Sequence, residues 1–169
     1  MTISTYTSSV PVFKQMLNAL SNVLQKAEAH AGAKNIEPNI LLQARLFPDM
    51  FPLVRQVQIA VDFAKGVSAR LAGVEVPSYP DNEQSFAELQ ALLGKALAFI
   101  DTLDATQFEG SGAREIVLRP GTPKEKKLSG DAYLQNYGLP QFFFHVATAY
   151  AILRHNGVEL GKRDYMGAY

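Results

Sequence analysis

A chain of 169 residues suffices for one domain with a sizeable core and is short for two, so we predict a single domain over residues 1–169. Its 47% apolar and 19% charged residues exclude an intrinsically disordered protein, and the balance of 16 basic against 16 acidic residues excludes a strong net field for nucleic acid. The absence of cysteine excludes disulfides, a thiolate nucleophile and Cys-ligated zinc, and it is consistent with a cytoplasmic location.

The first half of the chain predicts two long amphipathic helices. Apolar residues at three-to-four spacing predict one helix over residues 6–31 and a second from residue 49 or 50 to residue 72, ended by Gly73. Asp49 is a favoured residue type for the N-cap, and we predict that it caps this second helix. The link at residues 33–48 mixes apolar triplets with polar residues, which indicates a short helix or a packed loop.

The third helix and the segment after it differ in character. Apolar spacing predicts a helix from residue 83 or 85 to about residue 103. After it, Ile116-Val117-Leu118 is β-like, and Pro120-Gly121-Thr122-Pro123 is typical of a turn. Residues 110–130 therefore predict a small β-hairpin or an irregular excursion.

Residues 132–153 carry no formal charge and predict the core of a fourth helix. This helix begins at Asp131 or at Leu139, since Pro140 can either start its main part or kink it, and it ends at His155. Polar residues interrupt the run too often for a membrane span, so we expect a buried helix and no membrane partner. The fold class is therefore all-α, a four-helix bundle with a small β-hairpin or irregular excursion between helices three and four.

A single histidine, His145, follows three phenylalanines in the fourth helix. A two-histidine metal motif on one helix needs a spacing of three or four, but Gln141 and Ala149 occupy the positions four residues away. His145 is thus either a hydrogen-bonded core residue or a ligand. The polar residues that could share a cavity with it are Gln56, Gln58 and Asp62 on helix two, and Gln141, Thr148 and Tyr150 on helix four.

Four charged residues lie near the predicted helix ends. Arg45, Asp49, Arg154 and Asp164 are predicted to form structural ion pairs or caps, with substrate recognition by a guanidinium as the alternative. The sequence contains no Gly-x-Ser-x-Gly, no phosphate-cradling glycine loop and no His-Glu-x-x-His. No reaction is predicted from motifs.

Five segments resemble, in the same order, an uncharacterised bacterial family within the DinB/YfiT-like superfamily. They are LQARLFPDM (residues 42–50), QVQIAVDFAKG (56–66), ARLAGV (69–74), FHVATAYAILRHNGV (144–158) and GKRDY (161–165). The resemblance spans essentially the whole chain and implies a DinB-like four-helix bundle that is often dimeric. It also implies a divalent metal held by three histidines, one on helix two and two on helix four, and in some members a thiol-dependent transferase or isomerase activity.

The same resemblance assigns positions to a metal site that is degenerate in this chain. His145 matches the second histidine of helix four, Gln141 occupies the position of the first, and glutamines stand on helix two where a histidine is expected near residues 55–58. The implied ligand set is His145, Gln141 and Gln58. Amide oxygens replace imidazole poorly on zinc or nickel, so we expect no functional metal site.

These observations favour a cytosolic bundle without a cofactor, in which a pocket beside His145 binds a small organic ligand or simply packs. The pocket candidates are Gln56, Asp62, Phe144 and Tyr150. The alternative is a thiol transferase or hydrolase-type enzyme, in which zinc or nickel on His145 activates a thiol or water. A third interpretation is an interaction protein whose apolar helix surface dimerises. The expected partners are a second copy of the chain and a small molecule, with neither nucleic acid nor membrane.

Overall fold

Four long helices form the bundle in the computed structural model, which describes residues 4–169. The helices are α1 (Val10–Lys34), α2 (Pro38–Leu42), α3 (Leu53–Ala72), α4 (Phe86–Asp101), α5 (Gly130–Tyr133), α6 (Leu139–His155) and α7 (Lys162–Met166). The predicted all-α bundle is confirmed, with α1, α3, α4 and α6 as its long members. No helix within residues 4–169 combines the length and apolarity that a bilayer crossing requires.

The helix α3 lies at the centre of the bundle, packed along both α6 and α4. Its buried side chains extend around most of its circumference and include the polar Gln56, Gln58 and Ser68. Buried polar groups need hydrogen-bond partners, so we expect the two α3 glutamines to be hydrogen-bonded to neighbouring elements. The buried apolar residues of all the long helices join in one cluster.

The helix ends differ from the predicted ones where proline and left-handed residues intervene. The helix α1 begins at Val10, with Pro11 in its first turn, continues past Gly32 and ends at Lys34, with Asn35 as the C-cap at a φ of 53°. The helix α3 begins at Leu53, and Pro52 is its N-cap residue. The prediction that Asp49 caps this helix is therefore wrong, because no side chain caps it.

A two-stranded antiparallel hairpin connects the third and fourth long helices. Its strands are β1 (Glu115–Leu118) and β2 (Lys126–Ser129), with Ile116 opposite Leu128. Two short 3-10 helices precede it, Ala105–Phe108 and Ser111–Ala113. The predicted hairpin is confirmed, and it lies beside α5 because β2 runs directly into that helix.

The fourth long helix is reached through a π-helical turn, Leu134–Gly138, between α5 and α6. Both predicted starting points have a counterpart, since helical structure begins at Gly130 and the regular α-helix begins at Leu139, one residue before Pro140. A Cβ at Gly138 would lie 2.7 Å from Val67 Cγ2, so glycine allows the π turn to approach α3 closely. Gly138 lies beside Val67 and His145 lies beside Gln56, so α3 and α6 run antiparallel.

Candidate functional site

His145 is a buried, hydrogen-bonded residue between α6 and α3. Its Nδ1 lies 2.7 Å from Gln56 Oε1, and Gln56 Nε2 donates to the carbonyl of Phe51 at 3.1 Å. Because the amide nitrogen of Gln56 is engaged as a donor, its oxygen is the acceptor and His145 Nδ1 carries the proton. The imidazole stacks on Phe63 at a centroid distance of 6.1 Å and meets Phe144 edge-on at 5.2 Å.

This environment keeps the imidazole neutral. Burial lowers the pKa of His145, and the nearby positive charge of Arg55 lowers it further. With Nδ1 donating to Gln56, the Nε2 atom bears the lone pair, and it makes no hydrogen bond with any residue in the described range 4–169. His145 is therefore a neutral side chain with one unused acceptor.

The lowered pKa of His145 predicts a loss of stability in mild acid. As the pH falls through the unfolded-state pKa of about 6.5, the unfolded chain binds a proton that the folded chain does not take up, whereas above it both states are neutral. The free energy of unfolding should fall by up to about 1.4 kcal/mol per pH unit below that value. Urea unfolding at several pH values measures this slope, which His145→Gln should reduce and His155→Gln, at an exposed site, should leave in place.

Neither of the other predicted metal ligands hydrogen-bonds to this pair within the described residues. Gln58 is on another side of α3, where its amide donates to Glu83 Oε2 at 2.9 Å and accepts from Arg55 Nη1 at 3.2 Å. Gln141 is half-buried one helical turn before His145, and its side chain has no hydrogen bond within the part of the chain that the structure describes. The structure thus brings Gln56, and not Gln58, to His145. Residues 4–169 hold no cluster of three or more His, Asp or Glu side chains with metal-binding geometry.

The remaining predicted site residues are engaged elsewhere. Thr148 Oγ1 donates to the carbonyl of Phe144 at 2.7 Å, within its own helix. Tyr150 packs edge-on against Tyr165 of α7 at 5.9 Å. Asp62 forms an ion pair of 2.8 Å with Lys65 on the next turn of α3. The ion-pair prediction for Asp164 is confirmed, because its carboxylate lies 2.6 Å from Lys26 Nζ.

A cavity of about 480 Å³ opens between α3, the end of β1 and the aromatic residues that precede α6. Phe63 and Tyr137 form an aromatic wall, their rings 5.7 Å apart, and Phe63 also carries the stacked ring of His145. Of the predicted pocket residues, Asp62 lines this cavity, whereas Gln56, Phe144 and Tyr150 do not. The charged residues of its lining are Arg55, Asp62, Lys65, Arg70 and Arg119.

Two of the four cations in the cavity have carboxylate partners. Arg55 Nη1 lies 2.6 Å from Asp81 Oδ2. The buried Lys65 pairs with Asp62, donates to the carbonyl of Pro77 at 2.9 Å and lies 4.6 Å from the ring centroid of Tyr79. Of these residues, only Asp62 was predicted from the sequence to line a pocket, and Arg55 and Lys65 were not. A signal existed in the spacing of Arg55, Asp62 and Arg70, which at seven and eight residues places all three on one face of α3.

Comparison with known proteins supports the predicted family. A family model described as "Domain of unknown function (DUF1993)" matches residues 5–166. A solved structure described as a DinB family member protein from Shewanella denitrificans is similar with a TM-score of 0.92 and 39% sequence identity, and the match covers 97% of this chain and 92% of that one. No functionally curated protein matches the chain.

Proposed function

Because the chain belongs to the DUF1993 family and has the fold of a DinB family member, we propose that it is a cytosolic small-molecule-binding bundle. The observation that carries this proposal is the cavity of about 480 Å³ beside α3, in which aromatic walls and several polar groups converge. Ligand pockets are typically about 300–1,000 Å³ and combine apolar walls with a few placed polar groups. The lack of cysteine supports the cytosolic location.

The side chains around His145 support binding over metal chemistry. His145 offers a single free nitrogen, Nε2, and Gln141 stands where the family resemblance implies another histidine. One imidazole nitrogen with amide oxygens does not fit zinc or nickel, which prefer several nitrogen or sulfur donors. In this proposal the metal site has degenerated, and His145 and Gln56 hold α6 to α3.

A fragment library tested by ligand-observed NMR checks the binding proposal. Ile59→Trp, on the α3 wall of the cavity, should fill the space and abolish the binding of most hits. Ile40→Trp is the matched control, because Ile40 is exposed on α2, away from the cavity lining, and hits should survive it. An absence of specific hits, or hits that are indifferent to Ile59→Trp, would refute the proposal.

A metal-dependent thiol transferase or hydrolase remains the second candidate, and one observation favours it. His145 presents a free Nε2 lone pair while its other ring nitrogen donates to a carbonyl oxygen, which is the arrangement of many metal-bound histidines. Metal analysis of untagged protein decides the matter. Near-stoichiometric zinc or nickel that is lost in His145→Ala and kept in His155→Ala would establish this candidate over the binding proposal.

We also propose that the protein is a homodimer. Large apolar side chains are exposed on α2, on the loop before α3 and on α6. A large exposed apolar patch typically marks a protein–protein interaction site. Phe51 and Phe144, each 55% exposed, flank the Gln56–His145 pair from two different elements. On these three elements the exposed large apolar residues are Ile40, Leu46, Phe47, Phe51 and Phe144. Light scattering should give twice the chain mass for the native protein and a monomer for Phe47→Ser/Phe51→Ser; a native monomer would refute the proposal.

A further inference from the structure

The cavity carries a surplus of positive charge that its own residues do not neutralise. Within the described residues, Arg55 is paired with Asp81 and Lys65 with Asp62, whereas Arg70 and Arg119 have no carboxylate partner. The Lys65 ammonium already contacts the Asp62 carboxylate, the Pro77 carbonyl and the face of the Tyr79 ring. The two arginines are therefore the groups with unused charge in this space.

Arg70 is held by neutral partners that leave most of its donors free. Its Nη1 donates to the Gly66 carbonyl at 3.1 Å and to the hydroxyl oxygen of Tyr133 at 3.2 Å. Both of its described hydrogen bonds use this one nitrogen, so Nε and Nη2 remain available. A guanidinium fixed in this way can present a pair of donors to an anion without losing further conformational freedom.

Tyr133 adds a buried donor to the same wall. The residue is 1% exposed and lines the cavity, and its hydroxyl oxygen accepts from Arg70. Burial raises the pKa of Tyr133, so the hydroxyl keeps its proton at neutral pH. That proton has no acceptor among residues 4–169, and an anionic oxygen in the cavity would supply one.

Arg119 reaches the cavity from a backbone position that arginine seldom adopts. Its φ is 51°, a left-handed conformation that normally favours glycine, and it directly follows β1. The turn is fixed by Thr122, whose N–H and Oγ1 both donate to the Arg119 carbonyl, at 3.3 and 2.9 Å. A strained non-glycine residue whose side chain lines a cavity suggests a functional requirement for that side chain.

We propose that the cavity binds a small organic anion, whose carboxylate or phosphate monoester group contacts Arg70, Arg119 and the Tyr133 hydroxyl while a flat apolar body packs on Phe63 and Tyr137. This inference rests on the proposed binding function and specifies its ligand class. A carboxylate and a phosphate both match the planar donor pair of a guanidinium. A cationic ligand is disfavoured, because Asp62, the one carboxylate of the lining, is already paired with Lys65.

The test compares anions with neutral molecules of the same shape. Benzoate and phenyl phosphate are titrated against the full chain by calorimetry or ligand-observed NMR, with benzamide and benzyl alcohol as neutral counterparts. We expect each bound anion to exceed its neutral counterpart in affinity by about tenfold or more, since hydrogen bonds to charged groups are worth about a factor of ten each. Binding of only one of the two anions identifies the headgroup as carboxylate or phosphate.

Three variants connect the binding to the residues. Arg119→Gly should lower anion affinity about tenfold without lowering the melting temperature, because glycine accepts the left-handed backbone. Arg70→Gln should lower it by a similar factor. Lys124→Gln, which removes one charge from the exposed turn of the same hairpin outside the cavity, should leave it unchanged. Equal loss in Lys124→Gln would show a diffuse charge effect and overturn the proposal.

Failure of the ligand class is distinguishable from failure of binding itself. Neutral fragments could bind as tightly as the anions and lose their binding in Ile59→Trp. That result would overturn the anion proposal and leave the binding function supported. An absence of any probe or fragment sensitive to Ile59→Trp would refute both.

Discussion

Replacing Gly130 with alanine is expected to lower the free energy of unfolding by about 3 kcal/mol or more. A Cβ at Gly130 would lie 1.9 Å from the backbone carbonyl oxygen of Ser111 and 3.2 Å from Leu71 Cδ2. A backbone oxygen cannot rotate aside as a side-chain tip can, so α5 would have to separate from the 3-10 helix that contains Ser111. Urea unfolding followed by circular dichroism measures the loss.

Gly94→Ala is the matched control for this prediction. Gly94 lies inside α4, is exposed, and has no atom within 4 Å of the position its Cβ would take. Alanine should raise the free energy of unfolding there by up to about 1 kcal/mol, because glycine is a poor helix former. Equal effects at the two sites would show that the close approach at Gly130 does not constrain the fold.

Since Tyr133 follows three residues later in α5, Gly130→Ala should also weaken anion binding in the cavity.

The long helices and the hairpin could be predicted because their signals are local. Apolar spacing and the Pro120–Pro123 turn sequence indicate helix and hairpin without knowledge of the rest of the chain. The two possible starts of the fourth helix could not be decided between, because Pro140 is compatible with both. The structure contains both, joined by the π turn at Leu134–Gly138, which forms where Gly138 approaches Val67.

The choice between Gln56 and Gln58 depended on the orientation of α3 within the bundle. Gln56 and Gln58 are two residues apart, which corresponds to about 200° of rotation around the helix axis, so only one of them can face α6. The apolar stripe of α3 does not reveal which glutamine faces α6, because α3 is buried around most of its circumference and both Gln56 and Gln58 are buried. Tertiary packing distinguishes the two glutamines, because Gln56 faces His145 of α6 and Gln58 faces Glu83.

The cavity could not be predicted because its walls come from distant parts of the chain. Arg70 of α3, Arg119 after β1 and Tyr133 of α5 come together through tertiary packing of the hairpin on the bundle. The residue that stands out in the sequence is His145, which stacks on Phe63 at the edge of this cavity and does not line it. The spacing of Arg55, Asp62 and Arg70 is compatible with one face of α3, but nothing local in the sequence indicates what covers that face.

Replacing Gln56 with leucine is expected to lower the free energy of unfolding by about 2 kcal/mol, because it leaves the buried Nδ1–H of His145 without an acceptor. The Phe51 carbonyl loses its amide donor as well. An unpaired buried donor costs its full desolvation, whereas an apolar pair of similar shape does not. Gln56→Leu/His145→Phe should therefore be less destabilised than Gln56→Leu alone, since the phenyl ring keeps its stacking on Phe63.

Gln141→Leu makes the same substitution one helical turn from His145, at a half-buried glutamine whose side chain forms no hydrogen bond within residues 4–169. We expect it to change the free energy of unfolding by less than about 0.5 kcal/mol, because no buried partner is left unpaired. A loss at Gln141 as large as at Gln56 would mean that both glutamines share the polar site around His145. That outcome would favour a metal ion or a water molecule bound jointly by His145, Gln56 and Gln141, because shared coordination would make the removal of Gln141 destabilising.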